Sequence, residues 1–367
     1  MGYKKIGSFI TPITEKNIDG LYSEVLGVAI DKVFMPSVAN TIGTDLKKYY
    51  VLRKNRFAFN PMHVGRDERL PIAIYECEAP ALVSPAYQVF EVSDDSVNLD
   101  YLMLLFKTDE FDHICWFHTD ASVRGGLTWE DFCDIEVDIP DIIKQNKIVK
   151  QYQTIEAYKS TLVLLNEKMI EAGITDISIN VLKNSKFITI NEYCKKISSG
   201  GTPNREHGEY YGGNINWLKS GEVHNNVIIT VEEYISQAGL DNSSAKIIPQ
   251  DSVIMAMYGA TAAQVAYLNC DTTTNQACCN MMCSCKEDAA YLFFHLLANQ
   301  EDIKKLANGG AQENLSQELI AQQPIVLLND NEKKLMFVPI LDNLVVLYKE
   351  NSKLTELQSL LLAKMGQ

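Results

Sequence analysis

"GGLTWEDFCDIEVDIPDIIKQNKIV", residues 125–149, and "QENLSQELIAQQPIVLLNDNEKKLM", residues 312–336, run in parallel. In each, a short helical stretch leads to an apolar β-like run and then to a long helical run. Those runs end in Lys168-Met169 and Lys364-Met365. Upstream, "YLMLLFKTDEF" from Tyr101 parallels "YLFFHLLANQED" from Tyr291. An offset of roughly 190 residues is too long for a solenoid unit and describes two copies of one module.

The helical runs carry matched apolar stripes. In the first copy Ile148, Tyr152, Ile155, Leu162, Leu165 and Met169 recur at steps of three, four or seven. In the second, Ile340, Leu347, Leu354 and Leu361 repeat every seven residues, flanked by Leu344, Leu357 and Met365. One stripe alone would pack on its own domain. Two matched stripes of heptad spacing suit a pair of helices packed on each other. Pro339 should kink or restart the second run. "EAGITDISINVLKNSK" reads as a polar connector, with Gly173 as the helix stop. The expected organisation is therefore a module over 1–141, a helix over 142–171, a connector over 172–186, a second module over 187–328 and a helix over 329–367. Short β-rich runs between Gly and Pro turns, with a helix near 98–111 and another near 288–306, make the class α+β.

Composition narrows the choices. Apolar residues make up 46% of 367, which is enough for sizeable cores. No apolar run approaches the ~18 residues of a membrane span. The N-terminus lacks the apolar segment of an export signal, and nine cysteines form no disulfide-like framework. A reduced, cytoplasmic chain is expected. The net charge of −14 argues against a free-standing DNA binder, because phosphate neutralisation supplies much of such affinity. Basic character is local, however. Four of the six arginines, Arg53, Arg56, Arg66 and Arg69, fall within 17 residues that also hold His63.

Catalytic equipment is missing. Asn60-Pro61-Met62-His63 lacks the second proline and the aromatic of an amino-methyltransferase loop, and no Gly-x-Gly cofactor turn follows a strand. Ser199-Gly200-Gly201-Thr202 lacks the Gly-Lys-Ser/Thr ending of a phosphate cradle. Asp330, Glu332 and Lys334 could be proposed as a nuclease set, yet acids at a helix start serve the dipole. In "ACCNMMCSC" no Cys-x-x-Cys pair or second knuckle supports zinc; Cys279, Met281, Cys283 and Cys285 alternate as one strand face. No metal or catalytic residue is expected.

One stretch points elsewhere. "ISSGGTPNREHGEYYGGNINWLKSGEV", residues 197–223, resembles the start of the target-recognition domain in specificity subunits of type I restriction-modification enzymes. "SVIMAMYGATAAQVAYL", "TTNQACCNM" and "GGAQENLSQELIAQQPIVLL" are similar to later elements of that domain. In the first half "GGLTWEDFCDIEVDIPDIIKQNKIVKQ" fits the family's Pro-x-x-x-x-Gln-x-x-Ile helix lead-in, but no Gly-Gly-Thr-Pro element begins that half. The second lead-in departs too, with Glu332 where the first has Gln145 and its proline displaced to Pro324. The resemblance implies two target-recognition domains on two long antiparallel helices that form a coiled-coil spacer. It also implies a non-catalytic subunit that reads a bipartite double-stranded DNA target. Modification subunits would supply S-adenosylmethionine and methylate adenine; restriction subunits would use ATP and Mg. No cofactor is expected on this chain.

Under that reading the DNA-contacting candidates are Arg53, Arg56, Asn60, His63, Arg66 and Arg69 in the first module. In the second they are Thr202, Asn204, Arg205, Asn216, Lys219 and Ser220, with Tyr258 and Thr261 of the Tyr-Gly-Ala-Thr element. These side chains suit base edges or phosphates, and the Gly-Gly turns would let backbone approach a duplex. Tyr210, Tyr211 and Trp217 read as core aromatics. The alternatives are a stand-alone methyltransferase or nuclease, and a protein-interaction scaffold with no DNA role.

Overall fold

The computed structural model describes residues 2–38, 43–62, 64–119, 126–181, 186–307 and 314–366. His63 therefore lies outside the described residues. The chain forms two compact units, Met1–Ala157 with Thr355–Gln367, and Tyr158–Leu354.

The first unit opens with β1 (Tyr3–Lys5), β2 (Ile10–Pro12), β3 (Val25–Val28), β4 (Phe34–Pro36), β5 (Tyr50–Leu52) and β6 (Phe57–Phe59). After α1 (Val64–Asp67) come β7 (Ile72–Ile74), β8 (Ala81–Val83) and β9 (Gln88–Val92). Helices α2 (Leu99–Phe106), α3 (Asp109–Phe117) and α4 (Trp129–Asp134) precede β10 (Glu136–Asp138) and the long α5 (Ile142–Val181). Two four-stranded sheets run β2-β9-β6-β7 and β4-β3-β8-β5, and β1 pairs with β10. Phe57 and Phe59 are fully buried, and Phe57 stacks on Phe90 of the neighbouring strand at 5.0 Å. The helix expected over 98–111 is two helices. Thr108 separates them: its hydroxyl donates to Leu105 O at 2.8 Å and accepts from Phe111 N at 3.1 Å, capping α3.

The second unit contains β11 (Phe187–Thr189), α6 (Ile190–Tyr193), β12 (Lys196–Ser199), β13 (Tyr211–Leu218), β14 (Asn226–Ile228) and β15 (Glu233–Ile235). There follow α7 (Gln237–Asp241), β16 (Ser252–Ala256), β17 (Val265–Leu268), β18 (Thr273–Thr274) and β19 (Cys278–Met282). Then come α8 (Lys286–Ala298), α9 (Gln300–Lys304), α10 (Gln317–Ala321), β20 (Pro324–Val326) and α11 (Asp330–Met365). Its main sheet is β12-β19-β16-β17-β14, its small one β15-β13-β18, and β11 pairs with β20. Strand for strand, β12-β19-β16-β17 repeats β2-β9-β6-β7, and β11-β20 repeats β1-β10. The helix–strand–helix series α4-β10-α5 recurs as α10-β20-α11. The fold is α+β and duplicated.

Three expectations for the long helices need correction. Gly173 does not stop α5, which runs on to Val181. A β-carbon at 173 would lie 2.2 Å from Cδ1 of Phe294, so glycine is there to let α5 lie close on α8. Pro339 does not restart α11, a single run of 36 residues. The lost hydrogen bond and the ring clash are offset by the full burial of Phe337, Leu341 and Leu344 around it. Those residues also displace the expected stripe, because the second unit's core lies on their side of the helix. Ile340, Leu347, Leu354 and Leu361 are half-buried, and Leu357 is 49% exposed. On α5, Leu162 is buried, while Ile148, Tyr152, Ile155 and Met169 are half-buried. Within each unit the two helices run antiparallel. Tyr158 Oη donates to Glu350 Oε1 at 2.6 Å in the second unit, and Gln358 bonds Glu156 in the first.

The helix lead-ins also differ from expectation. Gln145, fully buried at the fourth position of α5, donates to Ser96 O and Pro140 O and accepts from Asn98 N. Its counterpart at the fourth position of α11 is Lys333, not Glu332. The Lys333 amine, 5% exposed, meets Asp288 Oδ1 at 2.5 Å and lies 5.5 Å from the Tyr193 ring centroid. An amide in one copy and an amine in the other fasten the same junction.

Candidate nucleic-acid interface

The loop from Ser199 to Ser220 is built on Gly200 and Gly201. A β-carbon at Gly200 would lie 2.2 Å from Thr274 O, and one at Gly201 2.2 Å from Ser244 Oγ. Gly201 N donates to Thr274 O at 2.8 Å. These glycines serve close packing inside the protein, and both are buried, which corrects the expectation that they let backbone approach a duplex. Trp217 is buried and donates through Nε1 to Gly201 O at 3.0 Å, fixing the turn from within. Tyr211 is half-buried and donates to Pro203 O at 2.5 Å.

On this frame the polar side chains form three groups. Arg205 lies over the rings of Tyr211 and Trp217, at 4.3 and 5.0 Å, and pairs with Glu233 at 2.9 Å. Lys219 pairs with Glu232 at 2.8 Å and with Glu233 at 3.3 Å, so one carboxylate holds both cations. Hydrogen bonds from Arg205 and Lys219 keep the Glu233 carboxyl below its usual range against partial desolvation. Next, Thr202 bonds Gln276, and Asn204 Oδ1 accepts from Glu206 N at 3.0 Å in an exposed turn. Thr261 Oγ1 donates to Ser220 O at 3.0 Å, which joins the Tyr-Gly-Ala-Thr element to the loop; Tyr258 there is 42% exposed. Asn216 stands apart, its amide donating to Asp271 O at 2.8 Å.

In the first unit the arginine cluster divides. Arg56 is 8% exposed; its guanidinium donates to Glu15 at 2.6 Å, Glu91 at 2.7 Å and Val51 O at 2.8 Å. It is an internal clamp and cannot reach DNA. Arg53 forms a forked pair with the same Glu15 and is half-exposed. The hydrogen bond from Arg53, then that from Arg56, holds the Glu15 carboxyl below its ordinary range. Arg66 pairs with its neighbour Asp67 at 2.6 Å, Arg69 is exposed, and Asn60 Oδ1 accepts from Met62 N at 3.0 Å.

Residues 183–359 match the family described as Type I restriction modification DNA specificity domain. That segment, just under half of the chain, carries a domain of that family. It is similar to the HindI specificity subunit of Haemophilus influenzae, 28% identical over 181 residues, which are 46% of this chain and 38% of that one. The match thus spans under two-fifths of that relative. The S subunit of the type I system from M. genitalium shares the fold, with a TM-score of 0.53 at 13% identity, covering 99% of this chain and 95% of that one.

The remaining reactive groups serve the fold. Cys278 and Cys279 are both fully buried, so the strand is covered on two faces rather than one, and burial pushes the Cys278 thiol up to about 12. A thiol held protonated is neither a nucleophile nor a metal ligand. Among the described residues no three or more His, Cys, Asp or Glu side chains could hold a metal ion. Asp330 pairs with Lys333, and Glu332 accepts from Asn329 N at 3.1 Å, so both serve the start of α11. Among the described residues no helix is long and apolar enough to cross a membrane. The acidic partners missed from sequence include Glu233, and Asp112, which pairs with the buried Lys32 at 2.6 Å. Neither lies near its cation along the chain, so spacing gave no signal.

Proposed function

We propose that this chain is the DNA sequence-recognition subunit of a type I restriction-modification system, each unit reading one half of a bipartite duplex target. The observation that carries the reading is the duplicated architecture. Two units repeat one sheet order, each completed by its own segments of the same two helices, and the second falls in the DNA specificity family. A protein that reads two half-sites needs two readers of one construction.

In this reading Arg53, Arg66 and Arg69 contact DNA in the first unit, and Thr202, Asn204, Arg205, Lys219, Ser220, Tyr258 and Thr261 in the second. The chain performs no chemistry of its own. Modification subunits dock on the helices and methylate adenine with S-adenosylmethionine, and restriction subunits use ATP and Mg. Val163, Leu164, Leu165 and Val346 stand 42–59% exposed on helices of the second unit, which suits such docking.

The test is a methylome of cells that carry a modification subunit with and without this chain. Sequence-specific adenine methylation should require both. Exchanging residues 187–328 for those of another specificity subunit should change one half-site only. Methylation or cleavage by the purified chain alone, or a change in both halves, would overturn the reading.

A further inference from the structure

We infer that Glu233 is an internal stand-in for DNA phosphate, which restrains Arg205 and Lys219 so that non-specific duplexes bind weakly. The inference rests on the DNA-reading function proposed above. Both cations lie in the segment that the reading assigns to DNA, and both are already engaged by one carboxylate, at 2.9 and 3.3 Å. The arrangement is neither buried nor open. Arg205 has 54% of its side chain exposed, Lys219 30% and Glu233 32%, so a phosphate could replace the carboxylate without unfolding anything. Arg205 is additionally held over Tyr211 and Trp217, 4.3 and 5.0 Å from their ring centroids, so its guanidinium keeps its place when the acid leaves. Trp217 is locked by Gly201 O. A rigid platform under an exchangeable ion pair is suited to handing a cation from one anion to another.

The physical consequence is twofold. Contacting a phosphate requires that an existing pair be broken, and Glu233 then remains near the backbone as an uncompensated negative charge. On a matching sequence, base contacts offset that cost; on a mismatched one they do not. Glu232, whose carboxylate pairs with Lys219, contributes the lesser part.

The test uses the full chain and a fluorescein-labelled 30-base-pair duplex of mixed sequence, titrated by anisotropy over a salt series. Glu233→Gln removes one negative charge from the contact, so the slope of log K against log salt should steepen by about 0.9. Loss of two exposed pairs, each a factor of about 1.4 to 5, should tighten binding roughly 2- to 25-fold. Glu232→Gln should give a smaller tightening and carries the test if E233Q does not fold by thermal melt. Asp302→Asn removes the same charge from the Lys305 pair in the same unit and should change neither quantity. Wild-type binding with E233Q or E232Q unchanged, or D302N matching them, would overturn the restraint alone. No binding by wild type and variants at low salt would overturn the DNA reading and the restraint with it.

Discussion

Replacing Gly173 by alanine sets two effects of opposite sign against each other. Helix propensity alone favours alanine by about 1 kcal/mol in a helix interior. Packing opposes it, because the new β-carbon would lie 2.2 Å from Cδ1 and 2.4 Å from Cε1 of Phe294. Carbon atoms rest about 3.5–4.0 Å apart, so α5 or the ring must retreat by roughly 1.3 Å. The ring has little room: Phe294 is fully buried, with Phe293 at 5.2 Å and Phe337 at 5.9 Å between centroids. Overpacking of this kind costs typically about 1–3 kcal/mol, which leaves a net loss of up to about 2 kcal/mol. In a unit of this size each kcal/mol moves Tm by about 2–4 °C, so a thermal melt should fall by as much as about 8 °C. Phe294→Leu should recover part of the loss in the double variant, with a coupling above about 0.5 kcal/mol. A G173A protein that melts above wild type would refute the packing argument and restore propensity as the deciding effect.

Other outcomes follow from single contacts. His295 is buried, donates its one ring proton towards Pro324 O at 2.9 Å, and burial pulls its pKa from 6.5 to about 4. The unfolded chain therefore binds the proton first. Stability from this group is complete above pH 6.5 and is lost as pH falls towards 4, by up to about 3 kcal/mol, a slope that His295→Gln should flatten in melts across that window. Arg56→Met should lower stability by about 1–3 kcal/mol because it strands Glu91 and the Val51 carbonyl. Arg69→Met should leave the melt unchanged within about 0.5 kcal/mol and weaken DNA binding instead; equal losses of stability would contradict the division of the cluster. Inserting four helical residues after Leu165 adds about 6 Å and should lengthen the unread gap of the methylated motif by one or two base pairs while sparing both half-sites.

What was legible in sequence was what repeats or alternates. The parallel between residues 125–149 and 312–336 became the paired series α4-β10-α5 and α10-β20-α11, because both halves of that signal are local periodicities. What stayed hidden depends on partners far along the chain. Gly173 looked like a helix stop because the ring it accommodates is 121 positions away. Arg56 looked like one of four surface arginines, yet its acids are 41 and 35 positions distant. Lys333 was passed over for Glu332 because alignment by letters favours the chemically similar residue, whereas the fourth helical position is what faces the junction. Thr202, Arg205 and Lys219 were found by type, but the acid that governs two of them was not.

The composition of the first unit bears on how the chain is made. Its core includes Val149 from α5, and packed on the same cluster are Ile148 and Tyr152 from α5 with Leu362 and Met365 from the far end of α11. The second unit, by contrast, is one uninterrupted stretch, Tyr158–Leu354. On a ribosome that adds about 5–20 residues per second, residues 1–157 wait some ten seconds or more for the segment that seals them. The second unit has by then received all of its chain. The module synthesised first is completed last, and a nascent chain halted near residue 350 would carry a whole second unit beside an unsealed first one.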